Sequence, residues 1–335
     1  MHIENNAVLC SNDPDYDSKL LAHIESQLDL FGDEISAAEK KKAASGLLKN
    51  FAFYKVKTIK KSSPVFDYYG KVSETADLLG NGLTRRDYLR ACIEHNELFV
   101  QTPETVKANV DGPVNAFEKD GLERKHYIRA CVKRPSLFSL SGEKVIANIE
   151  GMIEIFKEDG LDHRNYLAAC LKQPQLFYQL PQTLSRNVNG VVDRFEKDGL
   201  DRKTYLQACL GQATLFYQSD KTIGRHIEYM MTMADMGFLP KDNSVPYPYK
   251  ALFRHLADKP AQLCFADENY IMRIDYATRN QNKASRYGLL SKPKYQIEQD
   301  YKMNFGLAFS TDSVLPEVQE QLKGRNLWPK KTKAA

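Results

Sequence analysis

Two columns of basic residues recur along the middle of this sequence, and anion binding is the chemistry that they could perform. The first column holds one cationic residue at each step of a constant period: Arg85, Arg124, His163 and Arg202. The second column follows one residue later: Arg86, Lys125, Arg164 and Lys203. Guanidinium and ammonium groups in a regular row suit the phosphates of a nucleic acid or the acidic side chains of a protein. The alternative is that each cation pairs with the acidic segment that closes the preceding repeat.

A third column is polar and uncharged, and it holds one side chain per repeat: Asn109, Asn148, Asn187 and His226. Some helical-repeat proteins read one base with each unit through such side chains, so this is a candidate specificity column. The position also falls at the edge of an apolar helical stripe. The alternative is therefore a structural role, because an asparagine in that place often bonds a neighbouring backbone group.

A lysine-rich segment precedes the columns. Residues 40–61 contain eight lysines and no acidic residue, and Phe51, Phe53 and Tyr54 are interleaved with them. Basic side chains beside aromatic rings suit a single-stranded nucleic acid, whose phosphates pair and whose bases stack. The candidate binding residues of this segment are Lys55, Lys57, Lys60 and Lys61. The alternative is a solvated basic face whose aromatic residues pack onto the first repeat.

No arrangement typical of a catalytic or metal site is present. The sequence lacks a P-loop, a G-x-S-x-G elbow and an H-E-x-x-H pair, and its six cysteines include no C-x-x-C. The aspartates from Asp13 to Asp17 lack the glycine and the final glutamate of a calcium loop. We therefore predict a non-enzymatic binding protein with no cofactor and no metal. Four of the cysteines recur once in each repeat, which predicts buried free thiols.

The elements that carry these columns are four gapless repeats, which begin at Gly82, Gly121, Gly160 and Gly199. Each repeat reads as a Gly-Leu start, an amphipathic helix, a Leu-Phe turn and a second helix. Each glycine suits the left-handed position that ends a helix. Pro135 and Pro174 should stop the first helix, because proline lacks the amide N–H and clashes with the preceding turn.

These repeats predict an all-α fold, an α-solenoid of tandem 39-residue helical repeats with a helical N-terminal cap. We divide the chain into a cap over 1–81, four repeats over 82–236, degenerate repeats over 237–304 and a C-terminal tail over 305–335. The basic end of this tail, from Lys323 to Ala335, should fray. No apolar run is long enough to span a bilayer, and no secretory or mitochondrial leader is visible. The prediction is a cytoplasmic protein without a membrane partner.

The repeat layout resembles that of the mitochondrial transcription termination factor family over roughly residues 82–300. The residues that carry the resemblance are Leu122, Pro135, Leu137, Phe138, Ser141, Val145, Ile149, Phe156 and Gly160, with their counterparts one period on. The resemblance implies a curved helical solenoid that binds nucleic acid in an organelle along a basic groove.

The charge distribution keeps two functions open. The whole chain carries a net charge of +4, but acidic and basic residues are equal in number over 82–237, so the repeats are neutral. Nucleic-acid binding is the first hypothesis, because of the resemblance, the basic columns and the lysine-rich segment. A protein-interaction scaffold is the second, because neutralising several phosphates needs a positively charged face. One form of the second is a bacterial effector that is translocated into a host cell and binds a host protein.

Overall fold

A computed structural model describes residues 8–10, 16–53, 58–60, 67–80, 82–242, 247–280, 290, 292–305 and 309–329. Over these residues the chain is all-α apart from one pair of short strands. The helices are α1 (Tyr16–Asp29), α2 (Ala37–Phe53), α3 (Tyr68–Leu79), α4 (Arg85–Glu94), α5 (Pro103–Phe117), α6 (Arg124–Lys133), α7 (Ser136–Ser139), α8 (Gly142–Phe156), α9 (His163–Lys172), α10 (Pro181–Phe195), α11 (Arg202–Gly211), α12 (Asp220–Asp235), α13 (Lys250–Asp258), α14 (Asp267–Arg279), α15 (Lys294–Phe305) and α16 (Pro316–Gly324).

The two strands were not predicted. Strand β1 (Val8–Cys10) pairs antiparallel with β2 (Thr58–Lys60), so that Val8 lies opposite Lys60. Three residues are too few for an alternating pattern to be recognised in a sequence. The pair places the backbone of Lys60 in a strand beside the N-terminal helices.

The helices of the four repeats follow the spacing of the sequence. The first helices α4, α6, α9 and α11 each begin at the same position of their repeat, the residue of the first basic column. The second helices α5, α8 and α10 keep the same constant spacing, and each ends at the phenylalanine before the closing acidic segment. A short helical turn with the Leu-Phe pair separates the two helices of each repeat. The predicted stop before Pro135 is confirmed, because α6 ends at Lys133.

Local signals account for the helix boundaries. Thr84 and Asp87 form a capping box at the start of α4, and Asp201 accepts a hydrogen bond from the Thr204 backbone N–H at 2.7 Å. Gly121 and Gly160 end the short 3-10 turns that follow α5 and α8, at φ +95° and +93°. Only glycine adopts such angles at little cost, so the predicted left-handed positions are confirmed.

The chain divides into two compact units, residues 1–151 with 170–179, and residues 152–169 with 180–335. In the first unit the Tyr88 ring packs edge-on against Phe138 with centroids 5.4 Å apart, and Tyr127 packs in the same way against Phe177 at 5.1 Å. In the second unit Tyr166 meets Phe216 at 5.7 Å. These three first-helix tyrosines thus pack on the phenylalanine of the Leu-Phe turn in the next repeat, in a favourable edge-to-face geometry.

The last part of the second unit departs from the strict period. Helix α13 begins at Lys250, later than the repeat spacing would place it, but a helix, a turn over Pro260–Cys264 and helix α14 still follow one another. The predicted tail over 305–335 contains helix α16, and its end from Lys323 onward, where we expected fraying, includes the buried Leu327. Helix α16 also buries Val318 and Leu322. Apolar side chains that recur about once per helical turn explain why this helix packs against its unit.

Candidate functional site

The first basic column is paired with acids wherever the structure gives its contacts. In the first unit, Arg85 bonds both carboxylate oxygens of Glu34, and Arg124 contacts Asp111. In the second unit, Arg202 Nη1 lies 3.2 Å from Asp159 Oδ2. Asp159 lies at the end of a repeat, as the pairing alternative proposed. It closes the repeat that begins at Gly121, however, and not the one that directly precedes Arg202. Cations at a helix start oppose the macrodipole, and these carboxylates offset that cost.

The charges of this column are stabilised by their surroundings. The Glu34 carboxylate raises the pKa of Arg85 by hydrogen bonding. Burial lowers the pKa of Arg124, but this guanidinium also donates to the Leu79 carbonyl at 3.3 Å and touches the Asp111 carboxylate. The guanidinium stays charged, because an arginine keeps its proton even after such a shift. These arginines therefore have fewer donors available for an external phosphate.

The second basic column is exposed. Arg86, Lys125, Arg164 and Lys203 all lie on the surface of their units. Lys125 Nζ meets the adjacent Glu123 at 2.7 Å. The other three form no ion pair with a residue that the structure describes. These four side chains are the part of the predicted ladder that an acidic partner could reach.

The polar column is directed into the protein. Asn109 Nδ2 donates to the Phe138 carbonyl at 2.9 Å, and Asn148 Nδ2 donates to Phe177 at 3.1 Å. Asn187 makes the equivalent bond to Phe216 at 3.3 Å and is only half-buried. In each case the acceptor is the carbonyl of the Leu-Phe turn in the next repeat. These contacts are those of the structural alternative, because an amide that satisfies a buried carbonyl is not free to read a base.

His226 continues the polar column with a different group. Its Nδ1 lies 2.7 Å from the Leu263 carbonyl and therefore donates, and its Nε2 lies 3.6 Å from an Asp267 oxygen. Burial lowers the pKa of His226, and it outweighs the carbonyl and the carboxylate, which act in the opposite direction. The histidine is thus a neutral hydrogen-bond donor near pH 7.

The lysine-rich segment is only partly within the described residues. Lys55, Lys57 and Lys61 lie outside them, and Lys60 is described as part of β2 without its side chain. Within α2, Lys40 Nζ pairs with Asp29 at 2.8 Å. Lys41, Lys42 and Lys49 are exposed. The structure therefore brings part of this segment to the surface of the first unit, and its nucleic-acid role stays a prediction.

The repeated cysteines are buried beside the tyrosine column, as predicted: Cys92, Cys131, Cys170 and Cys209. Burial raises the pKa of the Cys92, Cys131 and Cys209 thiols. A thiol that is protonated and inaccessible is a poor nucleophile. These residues therefore serve packing rather than chemistry.

The second unit contains a cleft that was not predicted from the sequence, and we name it the C-terminal cleft. Its volume is about 740 Å³, and it lies between helices α10 and α12, the start of α14 and the segment after α16. The residues that line it are Arg194, Lys221, Arg225, Glu228, Asp267, Arg325, Asn326, Leu327, Trp328 and Pro329. The signal for it in the sequence was the only tryptophan of the chain, which follows closely after Arg325.

Hydrogen bonds hold the floor of the cleft in place. The Tyr229 hydroxyl donates to the Leu327 carbonyl at 2.6 Å, and Arg225 Nη2 donates to the same oxygen at 3.3 Å. Arg225 also pairs with Asp267 at 2.9 Å, and Arg325 bonds Asp235 of α12. These bonds fix the segment that carries Trp328 against a charged wall.

The described residues offer neither a metal site nor a membrane span. No group of three or more His, Cys, Asp or Glu residues is placed to hold a metal ion there. None of the helices in the described ranges has the length and apolar character needed to cross a bilayer.

Comparison with known proteins leaves the family open. No family model matches the chain, and no curated protein matches it significantly. The resemblance to the mitochondrial transcription termination factor family therefore stays a prediction.

Proposed function

We propose that this chain is a non-enzymatic binding protein, that its 39-residue repeats form an α-solenoid, and that its partner is a protein. The observation that supports the protein partner best is the pairing of the first basic column. Arg85, Arg124 and Arg202 each contact a carboxylate of this chain. A phosphate ligand would have to compete with those carboxylates at three of the four steps, which weakens the electrostatic attraction that nucleic-acid binding depends on.

The neutral repeats fit the same proposal. Protein interfaces tolerate a balance of both signs, and their charged rim sets partner choice and association rate rather than most of the affinity. The exposed residues Arg86, Lys125, Arg164 and Lys203 would serve as such a rim for an acidic partner surface. A bacterial effector that binds a host protein is one form of this proposal.

Nucleic-acid binding is the second candidate, and one observation favours it. The second basic column recurs once per repeat on the first helices, and three of its four members form no ion pair with a described residue. Exposed cations without an acidic partner are what a phosphate backbone would contact.

One pair of variants tests both candidates. The column variant reverses the charge at four exposed sites: Arg86→Glu, Lys125→Glu, Arg164→Glu and Lys203→Glu. The control variant makes the same change in net charge at four other exposed sites: Lys133→Glu, Lys144→Glu, Lys172→Glu and Lys197→Glu.

The first measurement is fluorescence anisotropy with single-stranded and duplex DNA and RNA across a salt series. We expect no micromolar binding at physiological salt. Micromolar or tighter binding, with a log affinity that falls linearly with log salt and is lost only in the column variant, would overturn the protein proposal and establish the second candidate.

The second measurement is affinity capture followed by calorimetry with the purified captured protein. The expected result is saturable binding to the wild type and to the control variant, and at least tenfold weaker binding to the column variant. Equal losses in both variants would mean that net charge alone is responsible, and the column would not be the binding surface.

A further inference from the structure

The geometry of the C-terminal cleft points to a small phosphorylated ligand with a planar ring, of about the size of a nucleoside diphosphate, as its occupant. This inference is independent of the proposed protein partner. A volume of about 740 Å³ lies within the range of pockets that enclose small molecules. The cleft also combines the two features that such a ligand needs, a cluster of cations and an aromatic wall.

The cations exceed the acids in the cleft. Arg194, Lys221, Arg225 and Arg325 line it, against Glu228 and Asp267. Lys221 is exposed and forms no ion pair with a described residue, so its ammonium group is available. Arg194 pairs with Glu228 through one terminal nitrogen only, which leaves the other for a ligand. A guanidinium fork and an ammonium group together match the oxygens of a phosphate.

A glycine lets the Arg194 guanidinium lie against helix α12. A Cβ atom added at Gly224 would stand 2.4 Å from Arg194 Nη1 and 3.0 Å from its Cζ. Any larger residue at position 224 would therefore push this end of the arginine away from its place. The guanidinium thus lies against the helix that carries Lys221, and both side chains line the cleft.

The aromatic wall is held in position before any ligand binds. Leu327 is buried, and its carbonyl accepts hydrogen bonds from Tyr229 and Arg225, which fixes the residue next to Trp328. The indole itself is half-buried, and Lys323 Nζ, in the helix that leads into it, lies 5.8 Å from the ring centroid. A planar heterocycle that stacks on an indole gains affinity without ordering a flexible chain.

The same arrangement disfavours an acidic peptide. Glu228 and Asp267 lie among the cations, and they would repel carboxylates that are spread along a chain. A phosphate concentrates its charge at a single point, where it can meet Arg194 and Lys221 while its ring lies on the tryptophan. The compact charge is therefore the better match.

The experiment uses the intrinsic fluorescence of the full-length chain, because Trp328 is its only tryptophan. The probes are adenosine diphosphate, inorganic phosphate, adenosine and a hexaglutamate peptide. We expect saturable change with the diphosphate, weaker competition by inorganic phosphate and the weakest response to adenosine. Arg194→Ala and Lys221→Ala should each weaken the affinity for the diphosphate by about tenfold, the typical effect of losing one charge-assisted hydrogen bond. Lys197→Ala, an exposed change outside the cleft, should leave the affinity unaltered.

A further variant distinguishes a loss of binding from a loss of folding. Gly224→Ala keeps every charge but displaces the Arg194 guanidinium, so it should also weaken the diphosphate several-fold while the far-UV circular dichroism is unchanged. The proposal is overturned if the diphosphate produces no saturable change up to about 1 mM, the weak limit for a specific ligand. It is equally overturned if hexaglutamate binds more tightly, or if the variants at positions 194 and 221 bind as the wild type does.

Discussion

The asparagine column offers the sharpest test of how the repeats are held together. Asn148 is 8% exposed, and its amide donates to the Phe177 carbonyl at 3.1 Å. Asn148→Ala removes the donor and leaves a buried carbonyl without it, which costs about 1–3 kcal/mol of unfolding free energy. Asn148→Asp should cost more, because it places a carboxylate against a carbonyl in a buried site.

The strength of this hydrogen bond should differ between members of the column. Asn187 makes a longer bond, 3.3 Å to the Phe216 carbonyl, and is more exposed than Asn148. Asn187→Ala should therefore cost about half as much, since water can replace part of the lost interaction.

The assay is urea unfolding followed by far-UV circular dichroism, with Lys144→Ala as the control on the exposed side of α8. The predicted order of stability is wild type and Lys144→Ala together, then Asn187→Ala, then Asn148→Ala, then Asn148→Asp. If Asn148→Ala lies within about 0.5 kcal/mol of the wild type, the size of a neutral surface change, the structural role is refuted. A loss of ligand affinity at unchanged stability would instead favour the specificity role.

Three further predictions follow from local geometry. Gly160→Ala should lower the free energy of unfolding in urea by about 1–2 kcal/mol, because the φ angle of Gly160 is +93°. Gly324 lies in open space within α16, so Gly324→Ala should leave this free energy unchanged or raise it slightly. Tyr127→Phe should change stability by less than about 1 kcal/mol, because the Cys131 thiol beside its hydroxyl is a weak partner, but Tyr127→Ala should cost about 3–5 kcal/mol. Burial lowers the pKa of His226 below its ordinary 6.5, so the unfolded chain takes up the proton more readily than the folded chain. The free energy of unfolding should therefore fall as the pH drops below about 6.5. Thermal melts of His226→Asn should show a shallower fall with pH, and an unchanged slope would contradict this assignment.

The local structure could be predicted because its causes are local. A glycine that ends a helix, a proline that forbids another turn and a threonine that caps the next helix each act within a few residues. Repetition made these signals stronger, since a pattern seen four times at the same spacing is unlikely to be accidental. The observed end of α6 at Lys133 follows from Pro135 in this way, and Gly121 ends the short turn that follows α5.

The candidate sites were harder to predict, because their partners are brought together by packing. Arg202 and Asp159 lie in different repeats, and no spacing rule for a single helix relates them. The C-terminal cleft combines Arg194 with Trp328, which are even further apart in the sequence. The β1–β2 pair also joins two segments separated by both N-terminal helices.

The two basic columns differ for a reason that lies in helix geometry. Arg85, Arg124 and Arg202 occupy the first position of their helices, where the Cα–Cβ bond tilts back toward the segment before the helix. That direction leads to carboxylates of earlier elements, and the resulting pairs offset the unfavourable macrodipole. The next residue is rotated by about 100° around the helix, which turns the second column toward solvent. Neighbouring cations in one sequence motif thus differ in their surroundings: Arg85, Arg124 and Arg202 form ion pairs with carboxylates of their own units, whereas the second column lies exposed beside them.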